Sequence, residues 1–183
     1  MSTQTYLLVD GENIDATIGN SLFQRRPNPE ERPRWDRVRE YAAEHWDQPV
    51  RPLFFLNASS GTMPMPFVQA LLAMEYRPVP LAGAATDKVV DLGIKRTLAA
   101  IAEREGDVLL ASHDGDFVPE VQDLLGRGRR VGLLALREFV NSAFTGLENL
   151  ELLDLELDVH AFTTPLPRVR IIPIEEFDPV AFL

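Results

Sequence analysis

Apolar residues in this chain follow two rhythms. Short, nearly continuous apolar runs at residues 5–9, 50–56, 108–111 and 131–136 have the length and composition of buried parallel strands. Between them, apolar positions recur at steps of three and four. Residues 35–46 carry Trp35, Val38, Tyr41, Ala42 and Trp46 at near-helical spacing. Residues 65–74 set Phe67, Leu71 and Met74 on one side, and residues 87–104 set Val90, Ile94, Leu98 and Ile101 or Ala102 on one buried face. A helix is predicted over 116–125, ended by the stretch from Gly126 to Gly128, and another around 139–144. Residues 76–81 predict a short strand that Pro78 and Pro80 confine to a sheet edge. Residues 147–159 alternate leucines with Asp, Glu or Asn over part of their length and fit a last strand or a helix end.

Strands alternating with helices predict an α/β fold with a central, mostly parallel sheet flanked by helices. Two stretches break the alternation. Residues 20–34 are rich in Pro, Arg and Asn and predict an irregular insertion. After His160, Pro165, Pro167, Pro173 and Pro179 interrupt every pattern. The expectation is therefore one domain over residues 1–158 and an extended, Pro-rich C-terminal tail over 159–183, packed on the domain or on a partner. Ile171, Ile172, Ile174, Phe177 and Phe182 of that tail are expected to cover the domain's own sheet edge; the alternative is a partner contact.

Composition narrows the picture. At 183 residues the chain is long enough for one real core and short for two. Its net charge of −10 predicts a soluble protein that repels nucleic acid on average, which argues against a broad electrostatic grip on a polyanion. The arginines are nevertheless clustered, one group running from Arg25 to Arg39 and another from Arg127 to Arg130. There is no cysteine, so disulfides, thiolate zinc sites and cysteine nucleophiles are excluded, and the scattered His45, His113 and His160 do not suggest a His-rich metal site. No basic leader precedes the first apolar strand and no apolar run approaches a membrane span, so the expectation is a cytoplasmic protein with no membrane partner.

The candidate chemistry lies in acidic signatures at strand-to-helix junctions. Asp10 and Asn13 follow the first strand; Asp91 opens the mid-chain helix; Asp114 and Asp116 flank Gly115 after the strand at 108–111. Each Asp alone is as readily a turn or cap residue. Capping requires one acid rather than two flanking a glycine, and Gly115 permits a tight turn that presents both. In an α/β sheet the carboxyl ends of the strands face a shared crevice, and carboxylates gathered there call for a hard divalent cation such as Mg²⁺. Lys88, Asp91 and Lys95 share a helix face, and these are the only two lysines in the chain. Ser112 is placed to orient a carboxylate, and His113 reads as a structural neighbour rather than a general base.

Taken in order, Asp10-x-x-Asn13 after the first strand, Lys88-x-x-Asp91 opening a helix, and Ser112-x-Asp114-x-Asp116-Phe117 after a core strand resemble the NYN domain family, PIN-like ribonuclease relatives that include the LabA-like bacterial proteins. The resemblance spans roughly residues 4 to 150. It implies a Rossmann-like PIN fold and a metal-dependent nuclease that hydrolyses RNA, single-stranded RNA suiting an open crevice. By motif position it implies Asp10, Asp91, Asp114 and Asp116 as catalytic acids, with Asn13, Lys88, Ser112 and Lys95 toward the substrate. Mg²⁺ or Mn²⁺ would be held by Asp10, Asp114 and Asp116, with Asp91 on a second ion or orienting the others. The arginines of the insertion at 20–34 and Arg127 to Arg130 are candidates for RNA backbone contacts. The stretch 141–150 keeps Asn141 and Ser142 but lacks a further Asp that the pattern leads one to look for. A homodimer suits this fold, although no residue demands one.

Two other readings remain open on sequence. A phosphatase of the haloacid dehalogenase type also uses an Asp after the first strand, but wants a second Asp two positions on, where this chain has Glu12. A non-catalytic regulatory or interaction module would keep the acids and bind a partner through the tail.

Overall fold

Six strands form one sheet in the order β3-β2-β1-β4-β5-β6, every neighbouring pair parallel. They are β1 (Thr5–Asp10), β2 (Val50–Asn57), β3 (Arg77–Leu81), β4 (Asp107–Ala111), β5 (Val131–Ala135) and β6 (Leu150–Asp154). The helices are α1 (Gly11–Thr17), α2 (Trp35–His45), α3 (Met65–Ala73), α4 (Val89–Ala102), α5 (Val118–Gly126) and α6 (Ser142–Thr145). This computed structural model describes residues 3–169 and 171–183. The predicted α/β class holds, the sheet being wholly rather than mostly parallel. Among the described residues no helix is long and apolar enough to cross a membrane.

The two central strands are buried along their whole length, as continuous apolar runs dictate. Alternate side chains feed two cores. Leu7, Val9, Leu109 and Ala111 pack with α1, α2 and α3, whereas Leu8, Leu110 and Leu133 pack with α4 and α5. α4 buries Val90, Ile94, Leu98 and Ile101, the predicted face. β3 is an edge strand, as its two prolines require, paired only with β2. The stretch that fitted either a strand or a helix end supplies β6.

The sheet order also creates a crevice. β1 is followed by β2 on one side, and the chain then crosses over through α4 to place β4 on the other side of β1. The carboxyl ends of β1 and β4 thus flank a topological switch point, where ligands bind in open α/β sheets.

Three expectations are corrected. The segment after β1 enters helix at once, as α1, and continues as a π-helical turn from Ile18 to Phe23, so the insertion is less irregular than its composition suggests. Ile14, Ile18 and Leu22, four apart, pin it to the core. Gly115 opens the expected tight turn carrying both acids, but it does so outside the left-handed region, and the need for a glycine is close packing: a Cβ there would sit 2.5 Å from Asn141 Cγ. The apolar tail residues do not cover a sheet edge; Ile171 is 97% and Ile174 77% exposed. Among the described residues it is the tail's first part that is buried, whereas Ile171, Ile172 and Pro173 only line a surface cavity with Arg137 and Leu157. Val159, Ala161 and Leu166 are buried, and Arg168 lies between Glu138, Asp154 and Glu156 at 2.6, 2.6 and 3.1 Å.

Candidate metal centre

β1 delivers Asp10 to the switch point at its last residue, where it is 3% exposed. β4 leads into Ser112, whose hydroxyl bridges the two strands. Ser112 Oγ donates to Asp10 Oδ2 at 3.0 Å and approaches Asn13 Oδ1 at 3.3 Å. Asn13 Oδ1 also accepts the His113 backbone N–H at 2.8 Å, which leaves the Asn13 amide NH₂ as its free group. The Asp114 N–H donates back to Ser112 Oγ at 3.1 Å, and Asp114 Oδ1 caps the next turn by accepting the Asp116 N–H at 2.9 Å. One carboxylate oxygen of Asp114 is therefore spent on the loop and the other is free.

α4 supplies the third side of the site. It starts at the carboxyl edge of the sheet and presents Asp91 in its first turn. Oxygens of Asp91, Asp114 and Asp116 lie within 4.8 Å of one another. Octahedral Mg²⁺ at ~2.1 Å from its ligands sets oxygens ~3–4 Å apart, so this trio needs only a small contraction to close on an ion. Lys88 Nζ stands 3.8 Å from Asp116 Oδ2. Lys95 is one helical turn beyond Asp91 and forms no ion pair among the described residues.

The electrostatics are those of crowded carboxylates. Burial pushes the Asp10 carboxyl up to about 7; the Ser112 hydroxyl opposes this, and the charges of Asp91 and Asp114 add to it. Asp91 is also raised, first by burial and then by Asp114, with Lys88 pulling the other way. A divalent cation would relieve both. The donors are all hard oxygens and the nearest counter-charge among the described residues is the exposed Lys88 ammonium, so the residues fit a hard divalent cation.

A cavity of about 350 Å³ adjoins the trio, lined by Asp10, Asn13, Lys88 and Asp91 together with Glu12 and Asn57. Asn57 escaped the sequence reading; its place at the carboxyl end of β2, beside β1, is the signal that would have found it. His113 is structural, as expected. Its Nε2 accepts the Leu136 N–H at 2.9 Å, and burial lowers its pKa to about 4, so the ring is neutral.

The arginine groups separate. Arg129 donates to the Gly106 carbonyl at 2.8 Å and Arg130 pairs with Asp107 at 2.9 Å, at the amino ends of β4 and β5. That is the opposite edge of the sheet, so Arg127 to Arg130 are removed from the candidates for RNA contact at this centre. Of the insertion, Arg25, Arg26 and Arg32 lie beside α1, whereas Arg34 pairs with Asp36 of α2.

A Rossmann-like parallel sheet with an acid cluster at its switch point defines a PIN-like α/β domain. The NYN domain family model matches residues 4–150, and the chain belongs to this family. A solved structure of a Vibrio parahaemolyticus protein of unknown function shares the fold, with a TM-score of 0.64 and 18% identity over 84% of this chain and 94% of that one. No curated protein matches the sequence.

Proposed function

We propose that this chain is a metal-dependent ribonuclease that hydrolyses phosphodiester bonds of single-stranded RNA. The observation that carries the proposal is the convergence of Asp91, Asp114 and Asp116 oxygens within 4.8 Å at the switch point, with Asp10 buried behind them. NYN membership supports the nuclease class.

The trio would hold Mg²⁺ or Mn²⁺. An ion there would supply charge neutralisation at the attacked phosphate and activation of a water nucleophile. This assignment gives Asp91 a direct place and sets Asp10 deeper. Asp10 Oδ2 is held by Ser112, so Oδ1 is the oxygen free to accept a proton. An ion at the trio would lower the Asp10 carboxyl from its metal-free value of about 7, so in the loaded protein Asp10 would be a carboxylate able to accept a proton. Ser112 and the His113 N–H fix the rotamer of Asn13, whose NH₂ donates toward the crevice occupant. Lys88 is exposed beside Asp116 and is placed to touch a non-bridging oxygen.

The phosphatase alternative requires Asp10 as nucleophile. A carboxyl that is 3% exposed, tied to Ser112 and raised to about 7 is a poor one.

The test is cleavage of end-labelled RNA with Mn²⁺ or Mg²⁺ by the parent chain and by Asp114→Asn. Metal-dependent cleavage that falls at least a hundredfold in the variant is expected. Equal cleavage by both, or cleavage in chelator, rejects the mechanism; no cleavage by either leaves a binding module.

A further inference from the structure

The insertion builds a second, positively charged cleft next to the acid crevice. α1 is the wall between them. Glu12 and Asn13 line the acid cavity, whereas Asp15, Ala16, Gly19 and Asn20 line a cavity of about 290 Å³ closed by Arg25, Arg26, Pro27 and Arg32. Asn13 and Gly19 lie six residues apart on one continuous helical segment, ~9 Å along its axis at α-helical rise.

The cleft is built rather than incidental. Gly19 lets the returning chain lie against the end of the helix, for a Cβ there would fall 2.8 Å from the Arg25 carbonyl oxygen. The Arg25 N–H donates to the Gly19 carbonyl at 3.1 Å. The Arg25 guanidinium is fixed by Glu31 at 2.9 Å and by the Phe23 ring at 4.8 Å from its centroid. Arg32 Nε lies 3.4 Å from Asp15 Oδ2. Arg26 is exposed and has no carboxylate at ion-pair distance among the described residues. The lining of the cleft holds three guanidinium groups against one carboxylate, Asp15, in a chain whose total is −10; Glu31, paired to Arg25, and Glu12, within reach of Asp15, stand behind it. A positively charged lining beside a phosphodiester-cleaving centre has an evident use, and planar guanidinium donors suit phosphate oxygens.

We propose that this cleft binds a backbone phosphate of the RNA strand adjacent to the bond held at the acid cluster, with Arg26 as its main contact and Arg25 and Arg32 as a prepositioned frame. The inference rests on the reading of the chain as an RNA-cleaving protein, and it adds the direction of the strand's path: across α1, on the side of the insertion.

The test is binding of fluorescein-labelled single-stranded RNA, followed by anisotropy across a salt series. An Asp114→Asn background prevents cleavage. Arg26→Ala is expected to weaken binding by roughly threefold or more and to reduce the slope of log Kd against log salt by about 0.7, the share of one single-strand phosphate. Arg26→Lys should keep the slope. Arg104→Ala makes the same charge change in an exposed loop at the opposite edge of the sheet and should alter neither quantity. Equal effects of Arg26→Ala and Arg104→Ala overturn the proposal, as does no effect of Arg26→Ala or no measurable RNA binding. RNA that binds through Arg26 but is never cleaved by the parent chain refutes the nuclease reading and leaves this one standing; cleavage indifferent to Arg26 does the reverse.

Discussion

Ser112 Oγ lies 3.0 Å from Asp10 Oδ2, across 102 positions of sequence. The bond spans β1 and β4, the two strands that flank the switch point, and Ser112 is also the acceptor that shapes the loop carrying Asp114 and Asp116. One hydroxyl thus sets the buried acid and the acid loop in a common frame.

Divalent ions should stabilise the protein through the trio. Mn²⁺ at about a hundred times its Kd adds ~2.7 kcal/mol, worth roughly 5–10 °C in a chain of this size. Asp91→Asn and Asp114→Asn should lose most of that shift in differential scanning fluorimetry, and Lys95→Ala should keep it. A full shift in Asp91→Asn would remove that residue from the ion.

Stability without metal should carry two opposing pH limbs. Asp10 is raised from 3.8 to about 7, so between these values the folded state holds a proton that the unfolded chain has released. Stability contributed by this group is present below about pH 4 and is lost as pH rises to 7, by up to ~4 kcal/mol. His113 is lowered from 6.5 to about 4, so its contribution is present above 6.5 and is lost as pH falls toward 4. Asp10→Asn should remove the largest part of the first limb, to which the raised carboxyls of Asp91 and Asp15 also contribute, and bring out the second as a rise in stability from pH 4 to 6.5. Urea denaturation in chelator reads both; parallel profiles for parent and variant would refute the assignment.

Arg168 should matter more than any other tail residue. Its side chain is 4% exposed among Glu138, Asp154 and Glu156, and Asp154 is fully buried. Arg168→Met leaves that carboxylate without its counter-charge, held only by the N–H groups of Arg137, Glu156 and Leu157, and should cost about 3 kcal/mol. Truncation after residue 170 should cost under about 1 kcal/mol, because most of the segment beyond is exposed. Equilibrium unfolding of the two variants makes the comparison.

Gly115→Ala should disturb the acid loop through Asn141. The added methyl would overlap the Asn141 side chain, which caps α6 through the Ala143 N–H at 2.9 Å. We expect roughly tenfold weaker Mn²⁺ binding with a stability loss near ~1 kcal/mol. Asn141→Ala in the same chain should restore the affinity while losing the cap. Calorimetric titration of single and double variants measures the coupling.

Much of the fold was legible because β1, β2, β4 and β5 are continuous apolar runs and α4 keeps its period over fourteen residues. α1 was hidden because Pro27, Pro29 and Pro33 and the arginine pair dominate the stretch that follows, although Ile14, Ile18 and Leu22 carried the helical signal. The acids were legible as strand-end residues. Which of them gather around one point was not, because that depends on the sheet order that brings the start of α4 against the loop after β4. Arg130 was misplaced for a reason visible in hindsight: it immediately precedes β5, and residues that enter a parallel strand lie at the edge remote from the crevice.

Pro78 and Pro80 alternate along β3 on the outer margin of the sheet. Neither carries an amide hydrogen, and both present this deficit to the same side, away from β2. An incoming extended segment from another molecule would find two rungs missing there. Templated growth of the sheet into larger, intractable assemblies is closed off at that border by the covalent chemistry of two rings.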